Sequence, residues 1–430
     1  MGAAPLLPLW PLGAMFGLIP VWWGLGLFYL GWPLLGAVLL ALLLVRGRVP
    51  LPPGTGVWLF FLAIVLVSAT QLAQPSSLVP FGLRLGFYLT ALVVGCYVYA
   101  AARERGPTAA LLVPICAFWF GLVLLGWFGV LAPRFEMTTP VEAALPGGLA
   151  SNPFVRDMVH LHTSEFSRRS LNPIYRPAAP FSYTNAYGSS YAMTLPCVVA
   201  FTMLRRRGLL RWALLASLPF SLVPAFLTLN RAMFLSLGAG LAVLGVRASL
   251  RGNIRIAASI VGLVAVAATA TLFIPVTDLI SNRVDNSDTN TDRFSLYAEV
   301  LRRVQESPLL GYGGPVSADT VTAQAPVGTQ GQLWMVLFSH GVIALACFLG
   351  WFVLAAVRTG RASSPAGQWL AVIPVICLVQ IPFYGMANPN LAVAFFMICF
   401  ALALTERERA RPGPGGTTPD GVPRTAVVPA

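Results

Sequence analysis

The stretch "LTLNRAMFLSLGAGLAVLGV" occupies residues 227–246, and one arginine, Arg231, interrupts an otherwise apolar run. Such a run is typical of a helix that crosses a lipid bilayer. An arginine at that depth is costly unless it faces a cavity, a partner or a substrate, or reaches the lipid headgroups. Its place in the topology therefore bears on both fold and function.

The apolar character extends along the chain. Hydrophobic residues make up 57% and charged residues 10% of 430 residues, with a mean hydropathy of +0.75. This composition predicts an all-α, polytopic membrane protein rather than a soluble domain. We expect residues 1–410 to form a single membrane domain and residues 411–430, rich in Pro, Gly and Thr, to form a disordered cytoplasmic tail.

Apolar segments of membrane-spanning length predict about twelve transmembrane helices. They are expected at residues 5–20, 22–45, 57–73, 82–102, 109–132, 187–204, 209–225, 231–246, 254–274, 330–357, 367–384 and 389–405. Pro20 and Pro33 leave open whether the first 45 residues make one span or two.

The net charge of +13 comes from arginine alone, since the chain has no lysine. Arginines cluster after every second predicted helix, and the positive-inside rule makes those ends, and both termini, cytoplasmic. The positions of the arginines therefore indicate the membrane topology of the chain, and we expect no nucleic-acid partner. Two long extracytoplasmic loops result, at residues 133–186 and 275–329, which hold eleven of the fifteen acidic residues. We expect them to contain short amphipathic helices and the functional site, on the outer face of the plasma membrane.

Arg231 lies between Arg211 and Arg247, which are both predicted to be cytoplasmic. The chain must cross outward and return between them, so the turn falls near residues 224–230 and Arg231 lies at the outer mouth of the membrane. Anchoring to phospholipid headgroups is the alternative to a functional role.

A second stretch, "YRPAAPFSYTNAYGSSYA" at residues 175–192, ends the first long loop. Arg176 again lies at the membrane rim, either as a ligand contact or as an interfacial anchor beside aromatic residues. Asn185 is placed to cap a helix that begins near Tyr187.

The third stretch covers residues 285–314. Helical spacing of Phe294, Tyr297, Leu301 and Val304 predicts an amphipathic helix on the membrane surface over residues 293–305. The segment "DTNTDRFSLYAE" also matches the acidic positions of a calcium loop, but Arg293 takes the place of its glycine, which favours a polar linker. His160 and His162 lack a third ligand at a recognisable spacing, so we expect no metal and no cofactor.

These stretches, in this order, resemble the O-antigen ligase and O-antigen polymerase family of polytopic glycosyltransferases over residues 175–341. The matching features are Arg176 with Phe181 and Asn185, then "NRA" at residues 230–232. Arg293 and Tyr297, which lead to "PLLGYG" at residues 308–313, complete the match. The resemblance implies that a glycan is transferred from a polyprenyl-diphosphate donor to a hydroxyl group of a glycan or lipid acceptor. The transfer would invert the anomeric configuration and need no metal, and membrane lipids would surround the protein.

The resemblance also implies roles for individual residues. Arg176, Arg231 and Arg293 would stabilise the departing diphosphate. The substrate-binding residues would be Tyr183, Asn185, Asn230, Asp292, Tyr297 and Gln332. Where the family commonly has a histidine near the acceptor, this chain has Gln330, which cannot accept a proton near neutral pH. Either the base lies elsewhere, with Glu299, Asp292, His160 and His162 as the candidates, or strong activation of the leaving group makes a base unnecessary.

Two other functions fit the same sequence. A flippase or exporter of lipid-linked saccharides would also bind a diphosphate, and broken helices or internal repeats would favour it. A scaffold within an envelope-synthesis complex would tolerate point changes at the arginines.

Overall fold

The structure, a computed structural model, describes residues 6–150, 152–166, 175–271, 289–316 and 326–410. These residues are mostly helical: 74% of them lie in helices, and few lie in strands. The helices are α1 Trp10–Gly17, α2 Ile19–Leu25, α3 Gly31–Arg46, α4 Thr55–Ser68, α5 Leu78–Arg105, α6 Val113–Leu131, α7 Pro140–Ala144, α8 Gly147–Ala150, α9 Pro153–Val159, α10 Thr184–Leu204, α11 Leu209–Leu227, α12 Arg231–Leu250, α13 Ile254–Thr271, α14 Thr289–Val304, α15 Gln332–Thr359, α16 Pro365–Leu370, α17 Ile373–Gln380 and α18 Pro389–Ala410.

Six helical segments of the described chain are long and apolar enough to cross a membrane, fewer than the twelve predicted spans. They are Pro75–Arg105, Ala109–Leu131, Leu209–Leu227, Arg231–Leu250, Gln332–Thr359 and Pro389–Ala410. Other predicted spans are shorter or divided. The predicted span at residues 5–20 falls across α1 and α2, which meet near Leu18, and the span at 367–384 is divided between α16 and α17. Both divisions lie beside a proline, Pro20 or Pro374, which cannot donate an intrahelical hydrogen bond.

Helix α10 lies at the centre of the helical assembly. It contacts α6, α11, α12, α16, α17 and α18, and its residues from Ala186 to Thr202 are buried. Because protein rather than lipid surrounds it, it can carry serines and threonines. Ser189 donates to Gln380 Oε1 at 2.7 Å, and Ser190 donates to Asn390. Buried polar pairs of this kind rigidify a core when every group is satisfied.

The loop between α6 and α10 folds into α7, α8, α9 and two small antiparallel ribbons. Strand β1 (Glu136–Met137) pairs with β2 (Leu161–His162), and β3 (Ser164–Phe166) pairs with β4 (Tyr175–Pro177). The second ribbon contacts α6, α10 and α11, where a β-carbon added at Gly129 would lie 3.2 Å from Pro177. The loop is therefore held against the helix ends.

Helix α14 packs on the start of α15 through part of the predicted face, because Val304 is buried there and Tyr297 stacks on Trp334. Leu296 and Val300 are buried against Leu337 and Phe338, whereas Phe294 and Leu301, which we expected on the apolar face, are exposed. The prediction was therefore right for Tyr297 and Val304, but it missed Leu296 and Val300, each one position before a residue of the predicted stripe.

Helix α15 is broken at Gly341, whose φ is 82° and ψ is −178°. The segment at residues 308–313 fills the break: Tyr312 N donates to Phe338 O at 3.0 Å, and Val342 N donates to Pro308 O at 2.8 Å. Only glycine fits, because a β-carbon at Gly341 would lie 2.4 Å from Leu309 O. The predicted continuous span over residues 330–357 is therefore interrupted.

Candidate functional site

Several predicted site residues converge on Thr184, the first residue of α10. Its backbone N–H donates to Glu165 Oε2 at 2.9 Å, and its carbonyl accepts from Asn230 Nδ2 at 3.5 Å. Its hydroxyl donates to the carbonyl of Arg176 at 3.3 Å. Thr184 is fully buried, so these bonds fix the ribbon β3–β4 and the start of α12 against the same helix end.

Arg176 is paired with a carboxylate. It faces Glu165 across the β3–β4 ribbon, and its Nη2 atom lies 2.7 Å from Glu165 Oε1. The other oxygen of Glu165 accepts from Thr184 N, so the carboxylate joins Arg176 to the positive end of α10. Glu165 therefore balances the charge of Arg176 and places its guanidinium. No motif in the sequence marks Glu165, because only the register of the ribbon brings it to Arg176.

Tyr183 occupies the N-cap position of α10, and its hydroxyl donates to Asp157 Oδ2 at 2.6 Å. Desolvation and the Asp157 carboxylate raise the pKa of Tyr183, so the phenol keeps its proton near neutral pH. The expectation that Asn185 caps a helix beginning near Tyr187 is wrong, because α10 begins at Thr184. Asn185 lies in the first turn, half-buried, and makes no side-chain hydrogen bond within the described residues.

The turn before α12 is strained. Leu229 has a φ of 50°, the left-handed region that side chains with a β-carbon rarely adopt. The next residue, Asn230, is the N-cap but makes no capping bond, since its carboxamide accepts from Tyr384 and donates to Thr184 O. The first-turn N–H groups of α12 are thus left without a side-chain acceptor, which favours an anion there.

Arg231 is the first residue of α12 and is exposed. Within the described part of the chain its guanidinium has no hydrogen bond, ion pair or aromatic ring contact. A cation at a helix N-terminus opposes the helix dipole by about 0.3–1 kcal/mol, so this placement does not stabilise the fold. An anion bound by Arg231 would be stabilised by the guanidinium, by the helix dipole and by the uncapped N–H groups of α12.

Gln332 is fully engaged within the protein. It is buried, its Nε2 donates to Tyr88 OH at 2.8 Å, and its Oε1 accepts from the backbone N–H groups of Met386 and Ala387 at 2.6 and 2.8 Å. Its backbone N–H also donates to Tyr384 O. These contacts account for Gln332 as a positioning residue that links α5, α15 and the turn before α18.

Arg84 is a further arginine that the sequence analysis did not single out. It lies in α5, one turn before Tyr88, with its Cζ atom 5.0 Å from the centre of the Phe154 ring. A β-carbon added at Gly314 would lie 3.8 Å from its Nη1 atom. It has no hydrogen bond or ion pair among the described residues. The reasoning applied to Arg231, an arginine inside an apolar helix, identifies Arg84 too.

Tyr297 and Gln330 lie where α14 meets α15. The Tyr297 ring stacks on Trp334 with centroids 4.2 Å apart, and its hydroxyl donates to Gln330 O at 3.3 Å. The Gln330 side chain makes only a long contact, 3.5 Å, to Thr329 Oγ1. Tyr297 and Gln330 therefore form one cluster. Gln332 follows Gln330 by two residues in the chain and connects this cluster to the residues around Thr184.

Glu299 is a poor candidate for the base. It accepts hydrogen bonds from Arg302 and Arg303, at 2.7 and 2.6 Å, which lower the pKa of its carboxyl to about 2. A carboxylate with that pKa rarely takes a proton near neutral pH. The side chains of Asp292 and Arg293 lie outside the described residues, so their predicted roles stay predictions.

The two histidines line one small pocket beside the start of α10, together with Tyr29 and Ser182. His160 Nδ1 lies 2.9 Å from a carboxylate oxygen of Glu142, and His162 Nε2 lies 2.9 Å from the carbonyl of Ser182. A carboxylate on one ring nitrogen orients a histidine and leaves the other nitrogen available for proton transfer. His160 is therefore better arranged as a base than Glu299.

No model of a known protein family matches the chain, and no characterised protein matches it significantly.

Proposed function

We propose that the protein transfers a glycan from polyprenyl diphosphate to a hydroxyl acceptor at the outer face of the plasma membrane, in the manner of an O-antigen ligase or polymerase. The observation that carries the proposal is the guanidinium of Arg231, which has no partner among the described residues and lies at the uncapped start of α12, beside a strained turn. A site with these features suits a phosphate group whose negative charge increases as the reaction proceeds.

In the proposed reaction the acceptor oxygen forms a bond to the anomeric carbon while the bond from that carbon to the diphosphate oxygen breaks. The bonding electrons leave with the lipid diphosphate, and Arg231 stabilises the added charge. The acceptor proton passes to Nε2 of His160, which has no hydrogen-bond partner among the described residues, while Glu142 holds the ring at Nδ1. Because the acceptor attacks from the side opposite to the leaving group, the configuration at the anomeric carbon is inverted.

An apolar groove supports a lipid-linked donor. Its volume is about 810 Å³, and its walls come from α1, α2, α6 and α11, including Phe120, Trp127 and Phe220. The β3–β4 ribbon, which carries Arg176, packs near Gly129 on the end of α6 that also carries Trp127. We expect a polyprenyl chain in this groove to run along α6 towards that ribbon.

A flippase or exporter remains the second candidate, and the break in α15 favours it. Discontinuous helices often form the binding sites of transporters. Here, however, residues 308–313 satisfy the backbone groups at the break, which suits a fixed structure.

The test is to incubate purified full-length protein with a polyprenyl-diphosphate oligosaccharide and candidate glycan and lipid acceptors, with and without a chelator. We expect release of polyprenyl diphosphate together with a glycosylated acceptor, equally in both conditions. Arg231→Ala should slow formation of both products by about 100- to 1000-fold, whereas replacement of the exposed Arg48 by alanine should not. Passage of the intact donor across vesicle membranes without bond cleavage would instead establish the exporter.

A further inference from the structure

A second polar site lies at the opposite end of α12 from Arg231. The twenty residues of this helix separate its two ends by about 30 Å at 1.5 Å per residue. A cavity of about 430 Å³ opens there between the α12–α13 turn and the start of α16. Its walls are formed by Arg251, Gly252, Asn253, Ile254, Arg255, Ser363, Pro365 and Gln368. The volume is in the range of small-ligand sites.

The cavity is basic. Arg251 is held in place by the carbonyls of Ala362 and Gly360, at 2.5 and 3.4 Å, which orient its guanidinium without cancelling its charge. Arg255 is exposed and has no hydrogen bond or ion pair within the described part of the chain. Nearby Arg247 has a buried Nη1 atom without a hydrogen-bond partner. Together they favour an anionic ligand.

The carboxylate of Glu408, which is near the cavity, already accepts hydrogen bonds from within the protein. Glu408 Oε2 accepts from the backbone N–H groups of Ser363 and Ser364, at 2.7 and 3.2 Å, and its other oxygen accepts from the Ser364 hydroxyl. These donors satisfy Glu408 at the start of α16, so it forms no ion pair with the two arginines that line the cavity.

Gln368 supplies the second polar feature of the cavity. Its side chain is 2% exposed, and its Nε2 donates to Ser363 O at 3.0 Å, which fixes the orientation of the amide. Its Oε1 atom is buried and has no hydrogen-bond partner in the part of the chain that the structure describes. A buried acceptor without a donor is costly, so a ligand that supplies a hydroxyl or N–H group here gains affinity.

The mouth of the cavity is apolar. Ile254, one of its walls, is 80% exposed, and nearby Leu250 is 82% exposed. Exposed aliphatic side chains beside a basic cavity match a ligand with a phosphate and a hydrocarbon tail better than they match a free phosphate ion.

We propose that this cavity binds the headgroup of an anionic membrane phospholipid, with Arg251 and Arg255 on the phosphodiester and Gln368 Oε1 accepting from a headgroup hydroxyl. Phosphatidylglycerol has this chemistry. The site is about 30 Å from Arg231 along α12, so it binds lipid independently of glycan transfer.

The test measures phosphatidylglycerol binding to the full-length protein in a neutral detergent, by native mass spectrometry. We expect Arg255→Gln to weaken binding by about tenfold, as for loss of a charge-assisted contact. The matched control is Arg361→Gln, an exposed arginine at the same end that does not line the cavity, and it should change binding less than about twofold.

Two further arms identify the group that is bound. Phosphatidylmethanol has the same phosphodiester charge without the hydroxyl, so it should bind several-fold more weakly, and Gln368→Met should remove that difference. Thermal unfolding of each variant checks that it is folded. Inorganic phosphate that competes with the lipid would show that the phosphate is the recognised part. Equal binding by wild type, Arg255→Gln and Arg361→Gln would overturn the proposal.

Discussion

Replacing Arg231 should separate catalysis from folding. Arg231→Ala removes a guanidinium that has no partner in the described structure, so no fold-stabilising contact is lost. It also removes a cation from the positive end of α12, which should stabilise the folded protein by about 0.3–1 kcal/mol. We therefore expect an unfolding midpoint equal to or above that of the wild type.

The effect on transfer should be large. Removal of one group that stabilises developing charge typically costs about 2.7–4 kcal/mol, which is a loss of about 100- to 1000-fold in kcat. Arg231→Lys retains the charge but not the two-pronged geometry, so its loss should be intermediate, about tenfold or more.

The assay is release of polyprenyl diphosphate in single-turnover reactions with saturating donor, beside thermal unfolding of the same preparations. Arg48→Ala serves as the control, since Arg48 is exposed and lies outside the candidate site. Transfer within about threefold of wild type, or a clear drop in the unfolding midpoint, would refute the assignment of Arg231 as an anion holder.

Three further predictions test other parts of the site. Glu299→Gln should leave the acid limb of the pH–rate profile unchanged, because hydrogen bonds from two arginines lower the pKa of Glu299 to about 2. The stabilisation from ionised Glu299 is fully present above the ordinary pKa of 4.5 and is lost as the pH falls through about 2. Glu299→Gln should therefore lower the unfolding midpoint at pH 7 and leave it nearly unchanged at about pH 2. Gly341→Ala should destabilise the protein by more than about 2 kcal/mol, whereas Gly350→Ala, with open space around it, should be neutral or stabilising in thermal unfolding. Arg84→Gln should raise the KM for donor or acceptor by about tenfold while the protein stays folded, and an unchanged KM for both would exclude Arg84 from the site.

The sequence predicted the helical character of the chain and the start of α12. The segment at residues 231–246 was predicted from apolar length and the arginine at its head, and the helix runs from Arg231 to Leu250. Where prediction failed, a tertiary environment was responsible. The predicted continuous span over residues 330–357 is divided because residues 308–313, from a distant part of the chain, enter the break at Gly341.

For the site, the sequence determined which residue types could bind a diphosphate, since guanidinium groups in apolar segments are rare and costly. Only the tertiary structure decided which of them are free to do so. Arg176 meets Glu165 across a ribbon, whereas Arg231 and Arg84 have no carboxylate within reach among the described residues. The reason is physical: a salt bridge requires two groups within about 4 Å, and the chain path between helices, not the local sequence, sets that distance.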